Sequence, residues 1–426
     1  MKIFILSCVI IGIILWIIIP FMPKLAAYFD LFFVNTLSLP YNSGAIFFML
    51  LVITACFLGL FYTLQKEKVF WNTVLLCLTT IVIGFSVFSI GIIRSCAKTP
   101  TNEYQPDNPF TLVRYLGREQ YGSNPLIYGE YFGAPYDLEE TTYWAPVDGK
   151  YRKSKGQVKV KYDSAGKMIF PRMWSSDPNH IRFYQAYMPS GGVKIRGAKH
   201  PKPTMGDNLS YFFDYQMNWM YWRYFMWNFV GRQNDIHSPS PGDPFAGNWE
   251  SGIGFIDGIR IPSLDSAPDY LKNNPGRNHY YFLPLLLGLI GLCFQFSRDK
   301  RGCWATFLMF FMTGLAIVLY LNQPPYQVRE RDYAYAGSFY SFSIWVGLGI
   351  IAIYSFVEKW LKSPIAKTAV ASAVGVLCLG VPVLMAEENW DDHDRSNRAT
   401  AVEMAYNYLN SVGPQGILIT HGDNDT

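Results

Sequence analysis

The residues best suited to chemistry are four consecutive charges and the tyrosine after them: Arg329, Glu330, Arg331, Asp332 and Tyr333. They lie in the segment N-Q-P-P-Y-Q-V-R-E-R-D-Y-A-Y-A-G, residues 322–337. An arginine fork bonds two phosphate oxygens while staying charged, and a neighbouring carboxylate can orient it or act as a base. We therefore expect phosphate binding by Arg329, Arg331 and Tyr333, with Asp332 and Glu330 as catalytic carboxylates. The alternative is that Arg329 pairs with Asp332, and Glu330 with Arg331, only to anchor two helix ends.

Two aromatic groupings are candidates for a substrate groove. Trp174 and Asp177 lie in F-P-R-M-W-S-S-D-P-N-H, where an indole can stack on a sugar; an Asp-Pro turn with an aspartate helix cap is the alternative. Trp219, Trp222 and Arg223 lie in the aromatic stretch 211–232. The polar segment G-R-Q-N-D-I-H that follows is a further cluster of candidate groups, and a polar cap at the C-terminal end of a helix explains it equally well.

One acidic cluster near the C-terminus is a candidate metal site. Asp391, Asp392 and His393 are adjacent in the sequence. Neighbours on a helix point about 100° apart, so only a loop could gather them around one divalent metal. Solvated charge at the start of the next helix is the alternative. No phosphate-binding P-loop, serine-hydrolase elbow or zinc spacing occurs in the sequence, and no other cofactor is indicated.

Apolar blocks must position these residues. The chain has 426 residues, of which 50% are hydrophobic and 16% charged, and seven blocks are long enough to cross a bilayer as helices. The blocks are residues 3–22, 44–64, 71–93, 280–296, 304–321, 339–357 and 369–386. The sequence therefore predicts an α-helical membrane protein with about seven transmembrane helices, in contact with the lipid bilayer. The net charge of +4 does not indicate a nucleic-acid partner, and we expect none.

Basic residues indicate how these helices are oriented. The short loops 65–70, 297–303 and 358–367 carry excess lysine and arginine and fall on one side if every block spans. That side is cytoplasmic by the positive-inside rule, as is the N-terminus. The long insertion, the charged loop at residues 322–337 and the C-terminal tail then lie on the outer side. Block 3–22 is interpreted as a retained anchor rather than a cleaved signal peptide.

Four regions follow from this layout. Residues 1–93 carry three transmembrane helices and an amphipathic segment, 24–40, expected along the membrane interface. Residues 94–279 form a mixed α+β insertion, with a short helix at 111–120, a strand at 125–131 and a hairpin at 153–168. It ends in the aromatic stretch, interpreted as an interfacial or re-entrant helix, with a core helix as the alternative.

Residues 280–386 carry four more transmembrane helices, and residues 387–426 a tail. In the tail we expect a helix at 398–411 and a strand at 417–420, followed by H-G-D-N-D-T with Asp423 and Asp425. Helix, glycine-bounded turn and apolar strand are how an α/β unit opens. A single helix and strand cannot bury a core, so the tail is interpreted as the start of a truncated α/β domain.

Several of these segments together resemble a known membrane-protein family. They are the loop 322–340, P-R-M-W-S-S-D-P, the stretch 216–235, G-R-N-H-Y-Y-F-L-P-L-L-L-G-L-I-G, E-N-W-D-D-H-D-R-S and G-D-N-D-T. In this pattern, which runs from about residue 31 onward, the chain is similar to a bacterial multi-span family of formerly unknown function. That family is grouped with the GT-C glycosyltransferases, near the protein O-mannosyltransferases.

The resemblance implies a polyprenyl-phosphate sugar donor, an active site on the outer face of the bacterial inner membrane, and acceptors that include proteins. Members carry an acidic D-C-G-E-F type motif and a Gly-His-Pro-Pro stretch in an N-terminal helix bundle, and this sequence has neither. The chain therefore resembles an internal portion of a longer member.

Two other functions compete with the glycosyltransferase. One is a non-enzymatic inner-membrane scaffold or export-complex subunit that docks proteins on its acidic tail and aromatic helix. The other is a transporter. A transporter is disfavoured because the charges cluster at the ends of the apolar blocks and no block carries a clear ion pair at its middle.

Overall fold

The computed structural model describes residues 2–99, 102, 104–119, 122, 124–264, 267–396 and 398–420. Its internal contacts divide the chain into two compact units. The first comprises Met1–Asn124 and Tyr136–Asp163, and the second comprises Pro125–Pro135 and Ser164–Thr426.

The first unit begins with a long helix that the sequence predicts as two separate pieces. This helix runs without a break through three pieces: the α-helix Lys2–Ile13, the wider π-helical turn Ile14–Ile18 and the α-helix Ile19–Asn35. The separation into a span at 3–22 and an interfacial segment at 24–40 is therefore wrong as a description of the helix. Pro20 and Pro23 lack N–H groups, and a π-turn just before them is one way in which a helix accommodates proline.

The remaining helices of this unit are Ser43–Gln65, Val69–Ser86, Ser89–Cys96 and Pro109–Leu116. The last confirms the helix expected at 111–120, with different bounds. Asp30 is fully buried and joins the long helix to its neighbour, since its carboxylate accepts from the backbone N–H groups of Asn42, Gly44 and Ala45. It also accepts from the hydroxyl of Tyr151 at 2.7 Å. A carboxylate from one helix thus caps the start of the next.

A β-hairpin completes the first unit, at a position that differs from the expected one. Strands Tyr136–Val147 and Lys150–Tyr162 pair antiparallel. Asp148 and Gly149 form the turn, with φ of 49° and 78°. Asp-Gly is a favoured pair for such a turn because both residues need positive φ. The hairpin predicted at 153–168 is wrong: Ser164–Gly166 forms a 3₁₀ turn that leads into another strand.

In the second unit, that strand, Lys167–Ile169, pairs with Tyr128–Glu130, which confirms a strand within 125–131. Gly231–Arg232 pairs with Asn278–His279. The longer helices are Pro178–Ala186, Leu283–Arg298, Lys300–Met312, Leu315–Leu321, Ala336–Glu358 and Pro364–Glu388, with short turns at Gly254–Asp257 and Asp269–Lys272. The tail holds Trp390–His393 and Thr400–Asn410.

The aromatic stretch belongs to a helix over residues 205–229, built from Met205–Tyr211, the π-helical Phe212–Trp222 and Arg223–Phe229. Buried residues recur along it in pairs every four positions: Asp207 and Asn208, Tyr211 and Phe212, Tyr215 and Gln216, Trp219 and Met220, Arg223 and Tyr224. This burial matches the alternative interpretation, a core helix. We call residues 205–229 the aromatic helix.

Six helices are long and apolar enough to cross a membrane among the residues the structure describes: Val9–Asn35, Ser43–Gln65, Val69–Cys96, Lys300–Leu321, Asp332–Glu358 and Pro364–Glu388. This is consistent with a multi-pass membrane protein that contacts the lipid bilayer. The remaining predicted span is the shorter apolar helix Leu283–Arg298, of 16 residues.

The predicted start of an α/β domain is formed only in part. The helix Thr400–Asn410 agrees with the one expected at 398–411. Residues 417–420 adopt no regular structure, so the predicted strand is wrong. A strand is stable only beside a partner strand, and none of the described residues supplies one here. Residues 421–426, with Asp423 and Asp425, lie outside the described residues.

Candidate functional site

The candidate site is built on the loop that joins Leu315–Leu321 to Ala336–Glu358. We call residues 322–335 the arginine loop. Asn322 ends the preceding helix in the left-handed region, at φ of 42°. Its buried amide donates to the carbonyl oxygens of Pro125 (2.6 Å) and Pro171 (2.9 Å). Pro324 and Pro325 then prevent the helix from continuing.

Glu330 is bound by donors from other parts of the second unit. Its carboxylate accepts from Arg223 Nη2 at 2.7 Å and from Arg223 Nη1 at 3.4 Å. It also accepts from the hydroxyl of Tyr224 and from the backbone N–H of Ser238 at 3.0 Å. Both carboxylate oxygens are therefore occupied, and the loop is tied to the aromatic helix.

Arg223 is enclosed on the other side of this ion pair. Its side chain is 3% exposed, and that of Glu330 is 15% exposed. The guanidinium lies 4.1 Å from the ring centre of Trp219, 4.6 Å from Tyr224 and 4.7 Å from Trp227. It also donates to the carbonyl oxygens of Trp219 and Gly247. Aromatic faces and hydrogen bonds together compensate for the burial of this charge.

The electrostatics of the pair follow from this arrangement. Burial alone would raise the pKa of Glu330, but the charge of Arg223 and the hydrogen bonds from Arg223, Ser238 and Tyr224 outweigh it, so this pKa lies below its usual value. Burial chiefly raises the pKa of Tyr224, so its hydroxyl remains protonated and donates to Glu330. Glu330 is therefore an ionised structural partner rather than a free carboxylate.

The four charges of the loop do not neutralise one another in the described part of the chain, contrary to the alternative interpretation. Within the described part of the chain, neither Arg329 with Asp332 nor Glu330 with Arg331 forms an ion pair within 4.0 Å. Glu330 instead pairs with Arg223, which lies 107 positions earlier in the sequence. The loop consequently presents two arginines and Asp332 that lack an oppositely charged side chain within 4.0 Å among the described residues.

Arg329, Arg331 and Asp332 lie at the start of a candidate membrane span, Asp332–Glu358. Arg329 is exposed, whereas Arg331 and Asp332 are half-buried. The backbone N–H of Arg331 donates to the hydroxyl of Tyr224 at 3.1 Å, and its Nη1 donates to the hydroxyl of Tyr333 at 2.9 Å. Arg331 Nε is buried and has no hydrogen-bond partner among the described residues. The loop can therefore offer guanidinium donors to an anion beside this candidate span.

The proposed groove residues are not all open to a ligand. Trp219 and Arg223 are buried, and the indole N–H of Trp219 donates to the carbonyl of Ser238 at 3.3 Å. Trp222 is 37% exposed. Trp174 is half-buried and donates to the carbonyl of Asn322 at 2.9 Å, which places it beside the arginine loop.

Asp177 caps the helix Pro178–Ala186, since it accepts from the backbone N–H groups of Asn179 and His180. This is the alternative that the Asp-Pro sequence suggested. Close by, Ser175 Oγ lies 2.7 Å from His180 Nδ1, and the ring of His180 stacks on Tyr326 of the arginine loop. The segment therefore contacts the arginine loop through the ring of His180 on Tyr326 and the hydrogen bond from Trp174 to Asn322.

Sequence reasoning missed two partners of Glu330, Tyr224 and Ser238, and the anchoring role of Asn322 within the loop. Tyr224 lies next to Arg223, so its presence in the aromatic run was the only signal. Ser238 contributes a backbone N–H, which no sequence pattern could reveal. Asn322 follows an apolar run and precedes two prolines, a pattern typical of a helix end.

A metal centre is not assembled in the described residues. No group of three His, Cys, Asp or Glu side chains among them is close enough to hold an ion. Asp391, Asp392 and His393 lie on the short helix Trp390–His393, where His393 Nδ1 contacts a carboxylate oxygen of Asp392. Successive side chains on a helix point in different directions, so these three do not come together around one ion.

One comparison with known proteins gives a match. Residues 122–213 match the model of a family of unknown function, DUF8416. The matched segment holds the hairpin, Trp174 with Asp177, and the start of the aromatic helix, but not the arginine loop. No curated protein and no solved structure matches the chain.

Proposed function

We propose that this chain is the membrane portion of a GT-C-like glycosyltransferase that uses a polyprenyl-phosphate sugar donor. One observation carries the proposal. Glu330 pairs with Arg223, an ion pair that we call the lock, and among the described residues Arg329 and Arg331 have no carboxylate within 4.0 Å at the start of a candidate span. A guanidinium at that depth suits a lipid-linked phosphate.

In this function the arginines bind the donor phosphate and Asp332 acts as the general base. The acceptor hydroxyl oxygen attacks the sugar carbon that bears the phosphate, and its proton passes to Asp332. The carbon–oxygen bond to the phosphate breaks, and polyprenyl phosphate leaves with the electron pair, its charge balanced by Arg329 and Arg331. Glu330 positions the loop and takes no part in proton transfer, because its oxygens are occupied.

Contacts within the second unit support a crossing by Leu283–Arg298, which would be the seventh span of the proposed bacterial inner-membrane protein. The arginine loop touches Arg223, Tyr224 and Ser238 of the insertion, which favours a placement of both on one side of a bilayer. The chain between them contains Leu283–Arg298 and the candidate span Lys300–Leu321. If the second crosses the membrane, the first must cross as well. Basic loops make the opposite side cytoplasmic.

A scaffold or export-complex subunit is the second candidate. It is favoured by the tail helix Thr400–Asn410, whose Val402, Tyr406 and Leu409 are 74%, 68% and 71% exposed. Exposed apolar residues on one helix are typical of a surface that binds a protein. In this case the acidic tail would bind a partner, and the arginine loop would be structural.

The deciding experiment is a donor titration of the purified chain in nanodiscs with a polyprenyl-phosphate sugar. We expect saturable binding that weakens at least about tenfold in Arg329→Ala and Arg331→Ala and is lost in the charge reversal Arg331→Glu. The matched control is Arg196→Ala, an exposed arginine outside the loop. Binding unchanged in the loop variants would remove the loop from the site, and absent binding would favour the scaffold.

A further inference from the structure

Arg232 follows the aromatic helix, and its backbone is held on both sides. The strand Gly231–Arg232 pairs with Asn278–His279, and Arg232 also forms an antiparallel bridge to Trp249. Gly231 has φ of +135°, and a Cβ there would lie 2.2 Å from the carbonyl oxygen of Asn278. Only glycine fits at that position, so the main chain at Arg232 is fixed.

The side chain of Arg232 is positioned by an indole. Its guanidinium lies 4.2 Å from the ring centre of Trp227, and the indole N–H of Trp227 donates to the carbonyl of Asn248 at 3.1 Å. The guanidinium of Arg223 lies 4.7 Å from the same ring. Two cations therefore share one fixed indole, which places Arg232 beside the lock that holds the arginine loop.

The two cations differ in their partners. Arg223 has Glu330 and two backbone carbonyls. In the described parts of the chain, the guanidinium of Arg232 has no hydrogen bond and no carboxylate within 4.0 Å, and its Nε is buried. A largely enclosed cation without hydrogen bonds is unfavourable unless something else binds it.

Another arginine in the same unit, Arg260, lies over an indole and also has an anionic partner. The guanidinium of Arg260 lies 3.4 Å from the ring centre of Trp249, and it also pairs with Asp257 at 3.6 Å and donates to the carbonyl of Trp249. Arg260 and Arg232 thus each lie over an indole, but among the described residues only Arg260 has a carboxylate within 4.0 Å.

Nearby charges define what Arg232 can accept. Burial lowers the pKa of Arg232, while the charges of Asp332, Asp235, Glu330 and Asp392 oppose that shift. Glu330 is already occupied. A ligand that offers an anionic oxygen to Arg232 and hydroxyl groups to the remaining carboxylates fits this mixture of charges, and a phosphorylated sugar has both.

We propose that Arg232 binds the phosphate group of the ligand, as an arginine of the site in addition to those of the arginine loop. The identification of the ligand rests on the proposed glycosyltransferase function. The binding of a phosphate at Arg232 rests on its fixed indole, its missing partner and its position beside the lock.

The test uses the full chain in a maltoside detergent, which contains no phosphate, and titrates it with sodium diphosphate at constant ionic strength. Calorimetry measures the affinity of wild type, Arg232→Gln, Arg232→Lys and the matched control Arg260→Gln. We expect saturable binding that weakens at least tenfold in Arg232→Gln and less in Arg232→Lys, which keeps the charge but loses the fork. Arg260→Gln should bind as wild type does.

Absent diphosphate binding by wild type, or equal binding by wild type and Arg232→Gln, would overturn the inference. If Arg232→Gln does not fold, as judged by thermal melting and gel filtration, the comparison between Arg232→Lys and wild type decides. A second titration with polyprenyl phosphate separates the two proposals. Arg232-dependent binding of diphosphate that the lipid does not displace would retain this inference and reject the lipid-linked donor, whereas lipid binding insensitive to Arg232 would do the reverse.

Discussion

Glu330 accepts hydrogen bonds from Arg223, Tyr224 and Ser238 inside the protein, so removing its charge leaves Arg223 as a buried cation. We expect Glu330→Gln to lower the free energy of unfolding by about 3 kcal/mol, the scale measured when one partner of a buried pair is lost. Guanidinium denaturation in mild detergent, followed by tryptophan fluorescence, measures the change.

The matched control is Glu140→Gln on the hairpin. Glu140 pairs with Lys155 at 3.2 Å, but both side chains are more than half exposed. Exposed pairs contribute about 0–1 kcal/mol, so the control should change stability little. Equal effects of the two substitutions would show that the lock of Glu330 is not a stabilising interaction.

The lowered pKa of Glu330 also predicts a dependence on pH. A carboxylate whose pKa in the folded state lies below its usual value of about 4.5 stabilises the fold fully above that pH. The contribution disappears as the pH falls through the folded-state pKa. We therefore expect the difference in melting temperature between wild type and Glu330→Gln to be constant near neutrality and to shrink below about pH 4.5. A difference that persists unchanged in acid would contradict this assignment.

At the scale of elements, the aromatic helix shows how its sequence selects its geometry. Buried pairs recur every four residues from Asp207 to Tyr224. An α-helix has 3.6 residues per turn, so a repeat of four drifts around it. The π-helical turns of Phe212–Trp222 are wider and offset that drift. As a result, Arg223 and Tyr224 continue the buried rows and reach Glu330.

A glycine allows two helices, Leu283–Arg298 and Ala336–Glu358, to pack closely. A Cβ at Gly291 would lie 1.8 Å from the carbonyl oxygen of Trp345, whereas a Cβ at Gly347 would meet no atom within 4 Å. We expect Gly291→Ala to force the helices apart and to destabilise the protein by about 1–3 kcal/mol or more. Thermal melting in detergent measures the loss. Gly347→Ala is the control, and a similar loss there would mean that close helix packing is not the cause.

At the scale of the whole molecule, the contacts of the arginine loop predict the membrane topology. Because the loop touches the insertion, cysteines introduced by Lys194→Cys and Val328→Cys should be labelled from the same side of sealed vesicles. A cysteine from Lys362→Cys, in a basic loop, should be labelled from the opposite side. All three positions are exposed. The experiment uses a background without native cysteines and an impermeant maleimide, and labelling of Lys194→Cys and Val328→Cys from opposite sides would exclude a crossing by Leu283–Arg298.

Local features were predictable because their cause lies within a few residues. The helix Pro109–Leu116 and the strand Tyr128–Glu130 lie at or near the predicted positions. The hairpin was misplaced although Asp148-Gly149 carries a strong turn signal. The predicted strand at 417–420 failed because strand formation depends on a partner elsewhere in the chain.

The sequence by itself indicated the helices that are candidates to cross a membrane, because the length and composition of an apolar block decide whether it suits a bilayer. It also singled out the charged residues from Arg329 to Asp332. Only the tertiary structure decided what each charge does. Arg223, on a distant helix, takes Glu330, and two arginines and Asp332 are left without charged partners among the described residues. Partners in an ion pair are chosen by packing, and packing brings together residues that the sequence keeps far apart.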